Sequence, residues 1–141
     1  MDCIFCKIIN RELPASIVYE DDKCMAFMDI RPINPGHLLI VPKQHIAYWH
    51  EMDPDLAGYL FAQGIRMNNA IRNSDLKCEG VNMLANDGAA AFQEVFHAHL
   101  HIIPRFRGDG FKVRFSGSVI VPPSRNKLDA IAMKIKNKLT L

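Results

Sequence analysis

Three histidines, His97, His99 and His101, alternate with apolar residues in the segment FQEVFHAHLHIIPR, residues 92–105. In an extended chain, side chains two apart point to the same face, roughly 6.5–7 Å from each other. The three imidazoles therefore form one row. Phe96, Ala98, Leu100 and Ile102 form the opposite row, which reads as core-facing. Three histidines with purely structural roles would need three sets of hydrogen-bond partners, and the separation of imidazoles from apolar residues speaks against that. Two chemistries suit such a row. Neighbouring imidazoles can chelate a metal, as in catalytic zinc sites. Alternatively, one imidazole is a nucleophile and the others orient it. Its pKa of about 6.5 leaves it largely neutral at pH 7, so a ring nitrogen can attack an electrophile such as phosphorus. Spacing alone leaves both open.

The preceding residues narrow the choice. NDGAAAFQEV, residues 86–95, runs from a glycine turn through small residues into the histidines. Small-residue turns let backbone N–H groups approach an anion. Alone this would read as a hairpin connection; set before the histidines, it favours an anionic substrate. Cys3 and Cys6 have C-x-x-C spacing, a weak metal signal by itself because a tetrahedral site needs two further ligands. Cys24 and Cys78 read as ordinary thiols, and His37 and His50 carry no assignable role.

The elements that must hold these residues are legible in outline. A chain of 141 residues suits one domain. Its 49% hydrophobic and 23% charged residues are those of a globular protein. A net charge of +2 is too small for a nucleic-acid surface. No apolar run is long enough to span a membrane. MDCIFCKIINRE lacks a signal peptide's long apolar region, so a cytoplasmic location is expected. Apolar segments 17–20 and 23–29 flank the acidic turn Glu20-Asp21-Asp22 as a hairpin. A Pro/Gly-punctuated loop feeds a strand at Leu38–Val41. Asp53 as N-cap, Pro54 and Asp55 open a helix whose Leu56, Leu60, Met67 and Ile71 keep helical spacing. A strand over residues 81–87 ends at Asn86-Asp87-Gly88, and the histidine strand is stopped by Pro104. A strand at Ser118–Val121 precedes an amphipathic helix from about residue 125, with Leu128, Ile131, Ile135 and Leu139 on one side. Lys127, Lys134, Lys136 and Lys138 lie on or near its solvated side. The class is α+β, an antiparallel sheet with helices packed on it.

His97-Ala98-His99-Leu100-His101-Ile102-Ile103 resembles the signature of the histidine triad (HIT) family. The blocks FCKIINRELPASIVYEDD, FMDIRPINPGHLLIVPKQH and NDGAAAFQEVFHAHLHIIPR follow the family's order and spacing, so the similarity covers about Cys3 to Arg105. It looks closest to the Hint-like branch, particularly the zinc-bearing members with an N-terminal C-x-x-C. The resemblance implies a HIT-like fold: about five antiparallel strands, a long helix and a C-terminal helix. It implies one domain over 1–141, with a core of about 3–107 and an extension over 108–141. It also implies a sheet continued across a homodimer, with helix 54–72 and the strand after it at the interface.

The implied activity is that of a nucleotide hydrolase or nucleotidyl transferase acting at the α-phosphate of purine nucleotide conjugates, the nucleoside 5'-phosphoramidates. His99 would attack phosphorus, and water would release AMP or GMP from a nucleotidyl-histidine. His101 would position the phosphate, and Gln93 with the backbone from Phe92 to Val95 would hold its oxygens. Asn86 would lie beside phosphate or ribose, and Asp29 would accept from the ribose hydroxyls. Phe5, Ile8, Phe27 and Ile30 would sandwich the base. In zinc-bearing relatives the two further ligands match His45 and His97, giving a structural zinc on Cys3, Cys6, His45 and His97. Four protein ligands leave no open position, so no catalytic metal is expected. Related readings are a dinucleoside polyphosphate hydrolase and a purine-nucleotide-binding scaffold with negligible turnover. No nucleic-acid or membrane partner is implied. One departure stands out: many Hint-like members have serine or threonine where this chain has Glu94. A carboxylate beside phosphate is repulsive unless protonated or turned away, and strand alternation puts Glu94 on the face opposite the histidines. Arg105 and Arg107 read equally as contacts to further phosphates and as solvated side chains.

Overall fold

The structure is a computed structural model and describes residues 2–112 and 121–139. The chain divides into two compact units, Met1–Phe111 and Lys112–Leu141. The expected core of 3–107 lies within the first.

The first unit is built on one antiparallel sheet in the order β1-β2-β3-β5-β4. Its strands are β1 (Ile17–Glu20), β2 (Cys24–Met28), β3 (Leu38–Pro42), β4 (Gly80–Ala85) and β5 (Leu100–Arg105). The β1–β2 turn closes on Asp21, whose side chain accepts from the Lys23 and Cys24 N–H groups at 2.8 Å, an Asx-type turn. Helix α2 (Pro54–Arg72) starts where the sequence places it, with Asp53 accepting from the Asp55 and Leu56 N–H groups.

Strands β2 and β3 are buried almost throughout because both sheet faces are covered. Strand alternation sorts their residues between two cores. Even-numbered Ala26, Leu38, Ile40, Leu100 and Ile102 pack with Leu60 and Met67 of α2. Odd-numbered Met25, Phe27, Leu39 and Val41 pack with Phe5 and Ile8 of a short helix, α1 (Ile4–Ile9). Helix α2 comes so close to β5 that a Cβ on Gly64 would lie 3.0 Å from Leu100 Cδ2. The six residues of α1 carry too little periodicity to be legible in sequence; packing on the sheet holds so short a helix.

The structure corrects the histidine strand at both ends. Pro104 does not stop it: β5 runs on to Arg105, and Pro104 pairs with Val81 of β4. It lies past the last β3 pair, Leu38–Ile102, where among the described residues β5 keeps a single neighbour, β4, and an edge tolerates a residue without N–H. His97 and His99 precede the strand rather than lying in it, and Phe96 is exposed instead of core-facing. Strand β4 ends at Ala85, short of the expected residue 87.

In the second unit, α3 (Arg125–Lys136) is capped by Ser124 and carries Leu128, Ile131 and Ile135, all exposed. The strand expected at Ser118–Val121 lies outside the described residues except for Val121. Among the described residues no helix is long and apolar enough to cross a membrane.

Candidate active site

His101 lies directly across from Leu39 of β3 and Leu84 of β4, which puts it on the α1 side of the sheet. The stretch leading into β5 is held by the Ala98 N–H donating to the Ile46 carbonyl at 2.7 Å. The expected segregation survives there without a strand ladder. Ala98, Leu100 and Ile102 are fully buried in the core under α2, while His97 and His99 are buried on the α1 side.

Hydrogen bonds give each imidazole a different free nitrogen. His97 Nε2 donates to the Pro42 carbonyl at 2.8 Å, so its Nδ1 lone pair faces the cysteines. His99 Nδ1 donates to the His97 carbonyl at 2.8 Å, so its Nε2 keeps a lone pair. For His101 the assignment runs through a fourth histidine. The Ile33 N–H donates to His37 Nδ1 at 3.0 Å, which leaves the proton of a neutral His37 on Nε2. That Nε2 lies 2.9 Å from His101 Nδ1 and donates to it. His101 therefore carries its own proton on Nε2, as a donor beside the His99 lone pair. Burial favours the neutral rings this requires: it lowers the His37 and His99 pKa values and brings His101 down to about 4, with the neighbouring His99 and His37 adding to the last shift. At His99 the Nδ1 hydrogen bond and the negative charges of Asp29 and Glu94 act the other way. Phe5 meets the His99 ring edge-on at 5.1 Å and fixes its plane.

The cysteine end of the row is a separate cluster. The Cys3 and Cys6 sulfurs lie 3.4 and 3.6 Å from His97 Nδ1, and Cys6 Sγ lies 3.3 Å from His45 Nδ1. All four donor atoms fall within 4.8 Å of one another. The start of α1 causes this, since Cys3 is its N-cap and Cys6 follows one turn later on the same face. Zinc bonds of about 2.0–2.3 Å in a tetrahedron put ligand atoms roughly 3.3–3.8 Å apart, so the donors fit. The Pro42 carbonyl on the far nitrogen of His97 is the outer partner that orients a ligating imidazole. Burial, followed by the nearby Cys3, pushes the Cys6 thiol up to about 11.

The loop before the row is braced from within. Gln93 is buried; its Oε1 accepts from the Gly88 N–H at 2.8 Å, and its Nε2 donates to the Ala47 and Val95 carbonyls at 2.7 and 3.0 Å. Both amide protons thus serve the loop. Asn86 donates to the Phe92 carbonyl. Phe92 sits at φ 67° and is 83% exposed, and Ile30 is 88% exposed. Phe5, Ile8 and Phe27 form a buried floor. Asp29 accepts from the Arg31 N–H at 2.8 Å and lies 3.4 Å from His37 Nε2. Glu94 does not follow strand alternation, because its segment is not a strand; it is exposed and pairs with Arg31 at 3.6 Å. Arg105 is committed to Asp109 and Asn82 rather than to a ligand.

Sequence reasoning missed His37. The signal was its odd number, the parity of Leu39 and Val41, which places it on the histidine side where β3 begins. It also missed Asp87, which accepts from the Trp49 and His50 N–H groups and from His50 Nδ1, tying the turn before α2 to the glycine turn.

Comparison with known proteins agrees with this arrangement. The HIT domain family matches residues 10–108. An uncharacterized HIT-like protein of Methanocaldococcus jannaschii is 49% identical over 113 residues, covering 80% of this chain and 86% of that protein. An adenylylsulfatase of Arabidopsis thaliana is 42% identical over 108 residues, covering 77% of this chain and 54% of that protein. Among solved structures, a HIT family member from Bacillus subtilis superposes with a TM-score of 0.90 at 38% identity, covering 100% of this chain and 99% of that one. A zinc-bound histidine triad family protein from Mycobacterium smegmatis gives 0.76 at 36% identity, covering 99% of each chain.

Proposed function

The chain belongs to the HIT domain family, and from that premise we propose that it is a hydrolase of purine nucleotide conjugates, acting at the α-phosphate of nucleoside 5'-phosphoramidates. The observation that carries the reading is the hydrogen bond from His99 Nδ1 to the His97 carbonyl, which leaves the Nε2 lone pair of a buried neutral ring as the nucleophile. That lone pair forms a bond to the α-phosphorus as the bond from phosphorus to the leaving nitrogen breaks. The electron pair departs with the nitrogen, which takes a proton from water. The His101 Nε2–H, held by His37, binds a phosphate oxygen throughout. Water then attacks phosphorus, the bond to His99 breaks, and AMP or GMP leaves. Within the loop from Phe92 to Val95 the Phe92 and Gln93 N–H groups donate to the Ala89 and Gly88 carbonyls, so the Glu94 and Val95 N–H groups bind the remaining oxygens, with Gln93 as the brace that holds the loop. Asn86 lies beside the phosphate. Asp29 receives the ribose hydroxyls, and Ile30 covers the base above Phe5, Ile8 and Phe27.

Cys3, Cys6, His45 and His97 would hold a structural zinc, which pins α1 and the start of the histidine row to the sheet; with four protein ligands it has no open position for substrate. The adenylylsulfatase relative supports hydrolysis of a nucleotide conjugate, and the zinc-bound relative supports the metal. A homodimer is part of the reading. Among the described residues β4 is an edge of the sheet, and Phe61 and Ile65 lie exposed on α2.

The test is AMP release from adenosine 5'-phosphoramidate, an AMP–lysine conjugate and diadenosine tetraphosphate, with a His99→Asn control. Cleavage of the phosphoramidates should fall about 10⁴-fold or more in the variant. Preference for the dinucleotide would make the protein a dinucleoside polyphosphate hydrolase. Wild type and variant equally inert, yet both binding AMP, would leave a nucleotide-binding scaffold.

A further inference from the structure

One ion pair joins the loop that carries Asp29 to the loop that precedes the histidine row, and neither the nucleophile nor the nucleotide contacts use it. Arg31 comes from the loop after β2, where its N–H donates to Asp29. Glu94 comes from the loop before the histidine row. Their side chains meet at 3.6 Å with 84% and 80% of their surface exposed. A pair this exposed is weak, contributing about 0–1 kcal/mol. The residues next to the pair tie both loops to the row: Val95 packs on the cluster that holds Phe5, whose ring meets His99 at 5.1 Å, and Asp29 lies 3.4 Å from His37 Nε2. Two residues before Glu94 in the same loop Phe92 is also exposed, in a left-handed backbone conformation that costs a bulky residue energy. A carboxylate and an aromatic face held outward beside a nucleophile are the two groups that recognise an organic cation. A carboxylate there is poorly suited to a polyphosphate or sulfate leaving group, which it repels.

Resting on the hydrolase reading above, we propose that Glu94 selects substrates whose leaving group carries a second, protonated amine. The Arg31 guanidinium occupies that position in the free protein and is displaced by the substrate's ammonium group. The reacting bond is unchanged: phosphorus is transferred to His99 Nε2, and the amine leaves with its electron pair and a proton from water. The distal ammonium stays charged throughout and takes part only in binding.

The experiment measures kcat/KM for three AMP phosphoramidates of similar length, made from 1,3-diaminopropane, n-butylamine and β-alanine. They present a cation, a neutral end and an anion. Wild type should prefer the diamine conjugate, then the neutral one, then the anionic one, and added salt should narrow the spread. Glu94→Gln should lower the cation-over-neutral preference about three- to fivefold, the range of an exposed ion pair. Arg31→Gln should raise the rate for the diamine conjugate about twofold by removing the internal competitor. Equal rates for the three conjugates, a preference for the anionic one, or a cation preference unchanged in Glu94→Gln overturns the assignment while leaving the hydrolase reading intact. No His99-dependent cleavage of any conjugate overturns both.

Discussion

His97 and His101 lie four residues apart on one side of one segment, and their surroundings differ in kind. Around His97 are two sulfurs, the His45 ring and a carbonyl that holds the far nitrogen. Around His101 are the His37 ring, the Asp29 carboxylate and the His99 ring at 4.8 Å. The first set consists of soft donors converging on one point, which suits a cation held for structure. The second is a chain of donors and acceptors ending in an N–H aimed outward, which suits a bound anion. The side-chain type is the same at both ends; what separates them is which ring nitrogen each hydrogen bond occupies. His99, between them, donates its hydrogen bond to the His97 carbonyl and has ring neighbours on both sides, Phe5 and His101.

The largest effect should come from removing the metal end. In Cys3→Ser, Cys6→Ser, zinc content measured by atomic spectroscopy should fall from about one per chain to near zero, as two hard hydroxyls replace two thiolates. With zinc at about 1,000 times its dissociation constant, the lost stabilisation is about 4 kcal/mol, readable by chemical denaturation. Folded variant should still release AMP. Retention of a metal without the thiols would break the comparison, because the histidine row itself would then be the ligand set.

The His101 end should respond in rate rather than in metal content. His37→Gln keeps a donor towards His101 but replaces a ring whose other nitrogen is fixed by the Ile33 N–H. The expected loss is about 10- to 100-fold in kcat, below the full contribution of a positioned acid–base group. KM should stay within about threefold and zinc content should not change. A drop in stability with normal kcat in the folded fraction would make His37 a packing residue only.

The two ends were unequally legible in the sequence. The histidine row and its apolar reverse side follow from alternation, and the structure keeps both at His97, Ala98 and His99, before β5 begins at Leu100. Cys3, Cys6, His45 and His97 could be grouped only through family resemblance, because their meeting depends on α1, which six residues do not announce. His37 was hidden for another reason. Its role needs the register that sets Leu39 against His101, and register is a property of two strands rather than of one. Gln93 shows a further limit. Residue type marks it as a hydrogen-bonding group near an anion, but only the fold shows that Gly88, Ala47 and Val95 already engage it.

The smallest expected effect is the sharpest test of the division between the ends. Within the group Cys3, Cys6, His45 and His97, His45 Nδ1 lies 3.3 Å from Cys6 Sγ, and its ring stacks edge-on against His97. A cysteine at this position would offer a thiolate to a site that already has two, and three thiolates with one imidazole are an ordinary zinc set. His45→Cys should therefore keep about one zinc per chain and change the AMP-release rate by less than about twofold, since the position demands only a soft donor. Substitution of His101 has no such tolerance, because a thiol is only a weak acceptor for His37 and has no N–H for the phosphate. If His45→Cys kept its zinc but lost turnover as His101→Cys does, the metal end would be setting the reactivity of His99 through the His97 carbonyl, and the two ends would form a single functional unit.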